Sequence, residues 1–290
     1  MIYEIKNEYL TVAVNDFGAE LCSIRTTDTE YLWQGDEKYW SDRALTIFPY
    51  VARLFGGEYF LDGEKYKMDI HGFAPKSVFS AEKIGETKLI MSLSSNEETK
   101  KQYPRDFTFE AVYELVENTL NVTYRVKNED GKTMYFGLGG HPGFNVPLAD
   151  SLSFEDYELT FSEESAPRRV VFTPDCFVTG EFSDFELENG KTIPLSHSLF
   201  DDDAIVLSDM PKTVTLGSKK DERKVTVSYP DMKYLGIWHM PKTDAPYVCI
   251  EPWRSLPAAD GKTAVFEEQA DLVSLHAGEV YENEWSITVE

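Results

Sequence analysis

Three short segments hold the residue types that acid/base chemistry needs. The first, Gly139-Gly140-His141-Pro142-Gly143-Phe144-Asn145-Val146-Pro147, fixes one imidazole among three glycines and two prolines. The second, Ile70-His71-Gly72-Phe73-Ala74, sets another of the chain's five histidines beside a glycine. The third, Tyr247-Val248-Cys249-Ile250-Glu251-Pro252-Trp253, ends an apolar run on a carboxylate. Imidazoles and carboxylates titrate near neutrality when their neighbours tune them, so this set can take a proton from one substrate atom and deliver one to another. Burying Glu251 alone would be costly, which argues for a partner or a role in chemistry. Arg53, in Phe48-Pro49-Tyr50-Val51-Ala52-Arg53-Leu54-Phe55, is a cation among apolar neighbours whose partner lies inside the fold or on a ligand.

The elements that must position these groups read mainly as strands. Period-2 alternation runs through Tyr9 to Val14, Lys88 to Leu93, Phe107 to Leu115, Thr119 to Val126, Lys224 to Tyr229 and Trp285 to Val289. Turn signals separate them: Asn15-Asp16-Phe17-Gly18, Glu129-Asp130-Gly131, Asn189-Gly190, and Asp62-Gly63 in a hairpin. Proline lacks a ladder donor and glycine packs no side chain, so the His141 segment reads as a rigid loop after a strand-like run, Thr133 to Leu138. The one helical pattern is Lys38 to Ala44, too short to organise a domain. No linker, repeat or low-complexity stretch interrupts residues 1–290, so the expectation is a single all-β domain, a large antiparallel β-sandwich.

Composition narrows the function. Of 290 residues, 28 are basic and 51 acidic, a net charge of −23 that argues against nucleic acid and anionic membranes as partners. The three cysteines, Cys22, Cys176 and Cys249, form neither a disulfide framework nor a zinc motif, and Cys22 and Cys249 read as small buried hydrophobes. The first residues lack the basic and apolar regions of a signal peptide, and no stretch is long and apolar enough to span a bilayer. A cytoplasmic protein, monomer or homodimer, is expected, with no metal or organic cofactor. The run Asp201-Asp202-Asp203 lacks the spacing of a calcium loop and reads by itself as a solvated edge. Trp238 and Trp253 are core by default, with sugar-stacking platforms as the other reading.

In order, Pro49 to Arg53, His71 to Phe73, Gly140 to Asn145 and Ile250 to Trp253 resemble the aldose 1-epimerase (mutarotase) family, and within it the LacX-like branch. The resemblance implies a β-supersandwich that interconverts the α and β anomers of a free hexose without metal or cofactor. It also implies that Glu251 is the general base and His141 the general acid. Arg53 and His71 would hold sugar oxygens, with Trp238 also in the sugar site, and the sugar-binding aspartate would be Asp202 or Asp203. The better-known galactose mutarotases carry Asn-Arg before the first histidine. This chain has Ala52-Arg53, so a galactose preference does not carry over.

Three other readings compete with the mutarotase. A β-sandwich glycosidase would pair Glu251 with an aspartate of the 201–203 run, but gives His141 no task. A non-catalytic carbohydrate-binding protein would use Trp238 and Trp253. A cupin-like metal site would combine His71, His141 and Glu251. Arg43, Arg53, Lys242 and Arg254 leave a hexose 6-phosphate open as the substrate.

Overall fold

The computed structural model describes residues 1–290 and is built almost wholly of strands. Two large antiparallel sheets carry the fold. The nine-stranded sheet runs, edge to edge, Thr192–Pro194, Tyr157–Phe161, Thr213–Ser218, Asp221–Ser228, Val280–Val289, Thr119–Asn128, Phe107–Val116, Lys88–Ser94 and Ser80–Ile84. The seven-stranded sheet runs Val178–Asp184, Arg168–Phe172, Ile205–Ser208, Tyr234–Trp238, Tyr247–Trp253, Gly139–Asn145 and Ala44–Ile47. Smaller sheets flank them, among them the hairpin Glu58–Leu61 and Glu64–Lys67, whose connecting Asp62 and Gly63 both have positive φ, as a tight hairpin turn requires.

The nine-stranded sheet obeys simple alternation. Along Thr119–Asn128, Leu120, Val122, Tyr124 and Val126 are buried, while Thr119, Asn121, Thr123, Arg125 and Lys127 face outward. Its outer face is polar, with Arg125 paired to Glu110 at 3.0 Å and Glu282 at 2.6 Å. The central strands of the seven-stranded sheet have two covered faces, while its edge strand Val178–Asp184 is largely exposed. Val248 and Ile250 join Leu235, Ile237, Ile205 and Leu207 in a core cluster of 67 buried residues shared with the other sheet. The residues between them point the opposite way: Trp253, Tyr234 and Val206 pack in one smaller cluster, Tyr247 and Cys249 in another.

Two local expectations are overturned. Lys38 to Ala44 forms no helix, because the Arg43 and Ala44 N–H groups donate to Glu20 Oε1 at 2.7 and 3.2 Å instead of to carbonyls four residues back. The single α-helix is Glu97–Gln102, capped by Asn96, whose side chain accepts from the Glu98 and Thr99 amides at 2.9 and 3.0 Å. The His141 segment is a strand, Gly139–Asn145, held between Ala44–Ile47 and Tyr247–Trp253. Its glycines serve close packing: a Cβ on Gly140 would lie 2.6 Å from Trp285 Cζ2.

Candidate active site

His141 and Glu251 owe their meeting to strand register. Gly139 pairs with Trp253 and Gly143 with Cys249, so each step forward on one strand is a step back on the other, and His141 falls opposite Glu251. Both point away from the large core. The flanking Pro142 and Pro252 have no N–H to leave unpaired there. His141 Nε2 lies 3.2 Å from Glu251 Oε2, at an angle that makes no hydrogen bond. His141 is 8% exposed and Glu251 1%, and neither His141 Nδ1 nor Glu251 Oε2 has a hydrogen-bond partner in the protein. Buried polar atoms without partners cost free energy, and a ligand that reaches them recovers it.

The environment drives both groups toward neutrality. Burial, reinforced by the Asp203 carboxylate, raises the Glu251 carboxyl well above the usual range. Burial, with His71 beside it, holds the His141 imidazole well below its usual value. Across the adjacent strand Gly236 faces Glu251, and a Cβ there would stand 3.2 Å from the Glu251 Cβ. Trp40 lies over the His141 ring at 4.8 Å between centroids, and Trp238 meets it edge-on at 5.8 Å.

Loops bring the other groups. His71 has φ +63 and Ala52 φ +53, a left-handed conformation that costs a non-glycine residue about 1–3 kcal/mol. The two hold each other: the His71 amide donates to the Ala52 carbonyl at 2.8 Å, and the Ala52 amide donates to His71 Nδ1 at 3.3 Å. A ring nitrogen that accepts carries no proton, so neutral His71 presents Nε2–H as a donor. Burial and the Arg53 charge keep it neutral by lowering its pKa to about 4. Gly72 must follow, because a Cβ would lie 2.3 Å from the Phe48 carbonyl oxygen, which accepts from the Phe73 and Ala74 amides. Arg53 makes no ion pair and donates to the Asp175 carbonyl at 3.1 Å. Asp203, at φ +74, accepts from the Ala204 amide at 2.8 Å and from Cys176 Sγ at 3.2 Å, whereas Asp202 is exposed.

Glu251, His141, His71, Arg53, Asp202, Asp203 and Trp238 all line one cavity of about 320 Å³. Trp253 lines it as well while packed in an apolar cluster at 4% exposure. Trp40, Asp42 and Cys176 line it too, and sequence reasoning missed all three. Trp40 and Asp42 fell inside the supposed helix, and nothing local marks Cys176. Of the four cations considered for a phosphate, only Arg53 lines the cavity. Lys242 lines a separate one and Arg254 donates to the Asp271 carbonyl at 3.3 Å. His197 and His239 contact each other at 3.2 Å away from the cavity, and His276 contacts Thr133 at 3.3 Å. Cys249 is buried as expected, but Cys22 is only half-buried. The one group of side chains with metal-ligand proximity is His141, Cys249 and Glu251, not the cupin-like set with His71.

The aldose 1-epimerase family matches the chain over residues 1–288. Protein LacX (chromosomal) of Lactococcus lactis subsp. lactis is 31% identical, with 100% of this chain and 99% of that protein aligned. Among solved structures, the galactose mutarotase related enzyme of Lactobacillus acidophilus superposes with a TM-score of 0.95 at 33% identity, covering 100% of this chain and 97% of that one. A galactose mutarotase-like protein of Lactobacillus casei gives 0.93 at 29% identity, with 100% of both chains covered.

Proposed function

The chain belongs to the aldose 1-epimerase family, and from that premise we propose that it interconverts the α and β anomers of a free hexose, with Glu251 as base and His141 as acid. The observation that carries this reading is the buried pair itself, opposed across two strands with Nδ1 and Oε2 left without protein partners. Ring opening takes the proton from the anomeric hydroxyl to Glu251 and delivers one from His141 to the ring oxygen. Rotation about the C1–C2 bond and the reverse transfers close the ring on the other face. The pair reacts as carboxylate and imidazolium, the form that burial disfavours in the empty cavity, and passes through a state in which both are neutral. Burial disfavours the charged state, which makes Glu251 a stronger base and His141 a stronger acid.

Arg53, the Nε2–H of His71 and the Asp203 carboxylate are assigned to the sugar hydroxyls, holding the ring against the pair. Trp238 and Trp40 supply apolar walls. Asp203 is preferred over Asp202 because two hydrogen bonds fix its carboxylate. The cavity lies near the small end of the ~300–1,000 Å³ range of small-molecule pockets, which suits one sugar ring. A lone Arg53 favours an unphosphorylated substrate. No helix is long and apolar enough to cross a membrane, and the reading places the enzyme in the cytoplasm as one folded domain.

Exchange between anomers, followed by polarimetry or NMR across free and 6-phosphorylated aldoses, tests the proposal. Acceleration is expected for at least one free hexose. Saturable hexose binding with no acceleration on any sugar would make the protein a carbohydrate-binding module instead.

A further inference from the structure

Acid/base chemistry uses two of the three reactive groups on this face and leaves Cys249 without a task. Its side chain lies two residues before Glu251 on the same face of the same strand, and its ladder partner is Gly143. His141 is two residues before Gly143, so Cys249 stands diagonally across from the imidazole. Gly143 contributes no side chain, and its position lies 3.4 Å from Cys249 Sγ measured from where a Cβ would be. The thiol does not line the cavity but packs beside Trp33 and Tyr247, with its sulfur within 4.8 Å of the other two ligand atoms. One ligand atom each from His141, Cys249 and Glu251 lies within 4.8 Å of the others, and the three residues are 8%, 0% and 1% exposed. Glu251 Oε2, 3.2 Å from His141 Nε2, has no hydrogen-bond partner in the protein, and neither has the other ring nitrogen, His141 Nδ1.

Imidazole, thiolate and carboxylate on one buried patch form a mixed donor set that suits a tetrahedral, borderline-soft divalent ion, with the cavity as the fourth position. A thiolate and a carboxylate balance a charge of +2. We propose that this site binds a thiophilic divalent cation of the zinc class through His141, Cys249 and Glu251, and that the bound ion blocks the hexose site. On binding, the Cys249 S–H bond and the O–H bond of the protonated Glu251 carboxyl break, sulfur–metal and oxygen–metal bonds form, and both protons leave to solvent. No electron moves. The ion occupies the atoms that the sugar needs, so its effect is inhibition.

Cadmium titration of the full chain, kept reduced, is the test, because a cadmium–thiolate bond shows an ultraviolet charge-transfer band whether or not the protein turns over any sugar. One equivalent per chain is expected to saturate the band, and zinc to displace it. Cys249→Ser should abolish the band although Cys22 and Cys176 remain. Cys22→Ser/Cys176→Ser, with Cys249 as its only thiol, should keep it, which guards against a Cys249 variant that misfolds. His141→Asn should weaken affinity about tenfold or more, the usual cost of losing a metal ligand or its support. No band in the wild-type chain, or a band in Cys249→Ser equal to that of the wild type, overturns the proposal without touching the mutarotase reading. Where anomer exchange is catalysed, cadmium should slow it in competition with the hexose, and inhibition that hexose does not relieve overturns the blocking role.

Discussion

The two large sheets treat their outer faces in opposite ways. The nine-stranded sheet presents threonines and ion pairs to solvent, as along Thr119–Asn128. The seven-stranded sheet covers the outer face of its central strands, so that Tyr247–Trp253 is buried at every position and Gly139–Asn145 at all but the last. An outer face that is covered yet carries His141, Cys249 and Glu251 cannot be accounted for by packing alone. One sheet closes the core, and the other closes the core with one set of residues and lines the candidate site with the alternate set.

Substitutions can break that contrast or sharpen it. The largest effect is expected at the pair. Glu251→Gln and His141→Asn should each lower kcat for anomer exchange by roughly 10²–10⁴, and the double variant should lose far less than the product. A well-folded Glu251→Gln protein with wild-type kcat would overturn the proposed role of the pair. Next comes the wall between the faces. Gly140→Ala pushes into Trp285, which reaches under the His141 strand from the opposite sheet, and should cost about 1–3 kcal/mol in denaturant unfolding. Unchanged stability would mean the two sheets do not meet there.

Acid should act more mildly and with a definite sign. His71 and His239 are held at about 4 in the folded chain, mainly by burial, against 6.5 ordinarily. Between those values the unfolded chain takes up protons that the folded chain refuses, so the contribution of these two histidines falls as pH drops from about 6.5 to about 4, and His141, held lower still, adds to the loss with the same sign. Glu251 has the opposite sign: its raised carboxyl keeps a proton that the unfolded chain releases, so its contribution falls as pH rises above 4.5. Urea midpoints measured in a Glu251→Gln background isolate the histidine slope, and His71→Gln/His239→Gln should reduce it, leaving the part that His141 carries. A slope unaltered by that pair would assign acid sensitivity elsewhere. The smallest effect is expected on the solvent side of the nine-stranded sheet, where Arg125→Ala should cost about 0–1 kcal/mol and leave anomer exchange untouched.

Legibility in the sequence followed the same division. Strands with one wet face, such as Lys88–Ser94 and Phe107–Val116, announced themselves by alternation, and Asp62-Gly63 announced its hairpin. Gly139–Asn145 did not, because a strand covered on both sides has no polar beat, and its glycines and proline mimic a loop. All seven anticipated site residues line the cavity; local motifs marked Arg53, His71, His141 and Glu251, whereas Asp202, Asp203 and Trp238 read locally as solvated edge or core and were named through the family resemblance. Trp40, Asp42 and Cys176 come from segments whose approach depends on tertiary folding, which no spacing records. Cys249 was legible as a buried thiol but not as a neighbour of His141, since that adjacency is a property of register.

Because His141 and Glu251 face each other by strand register, the length of each strand is a fixed quantity in a way that its composition is not. Deleting one residue before His141 within its strand would turn the imidazole into the core and bring Pro142 or Gly140 to the candidate site; the same holds for Glu251 in its strand. The loops that bring Arg53, His71 and Asp203 carry no such parity constraint. A single-residue deletion scan of the whole chain should therefore show sharp intolerance inside these two strands and graded tolerance around them. Under that constraint the loops are expected to accept insertions and deletions, and the two strands only substitutions.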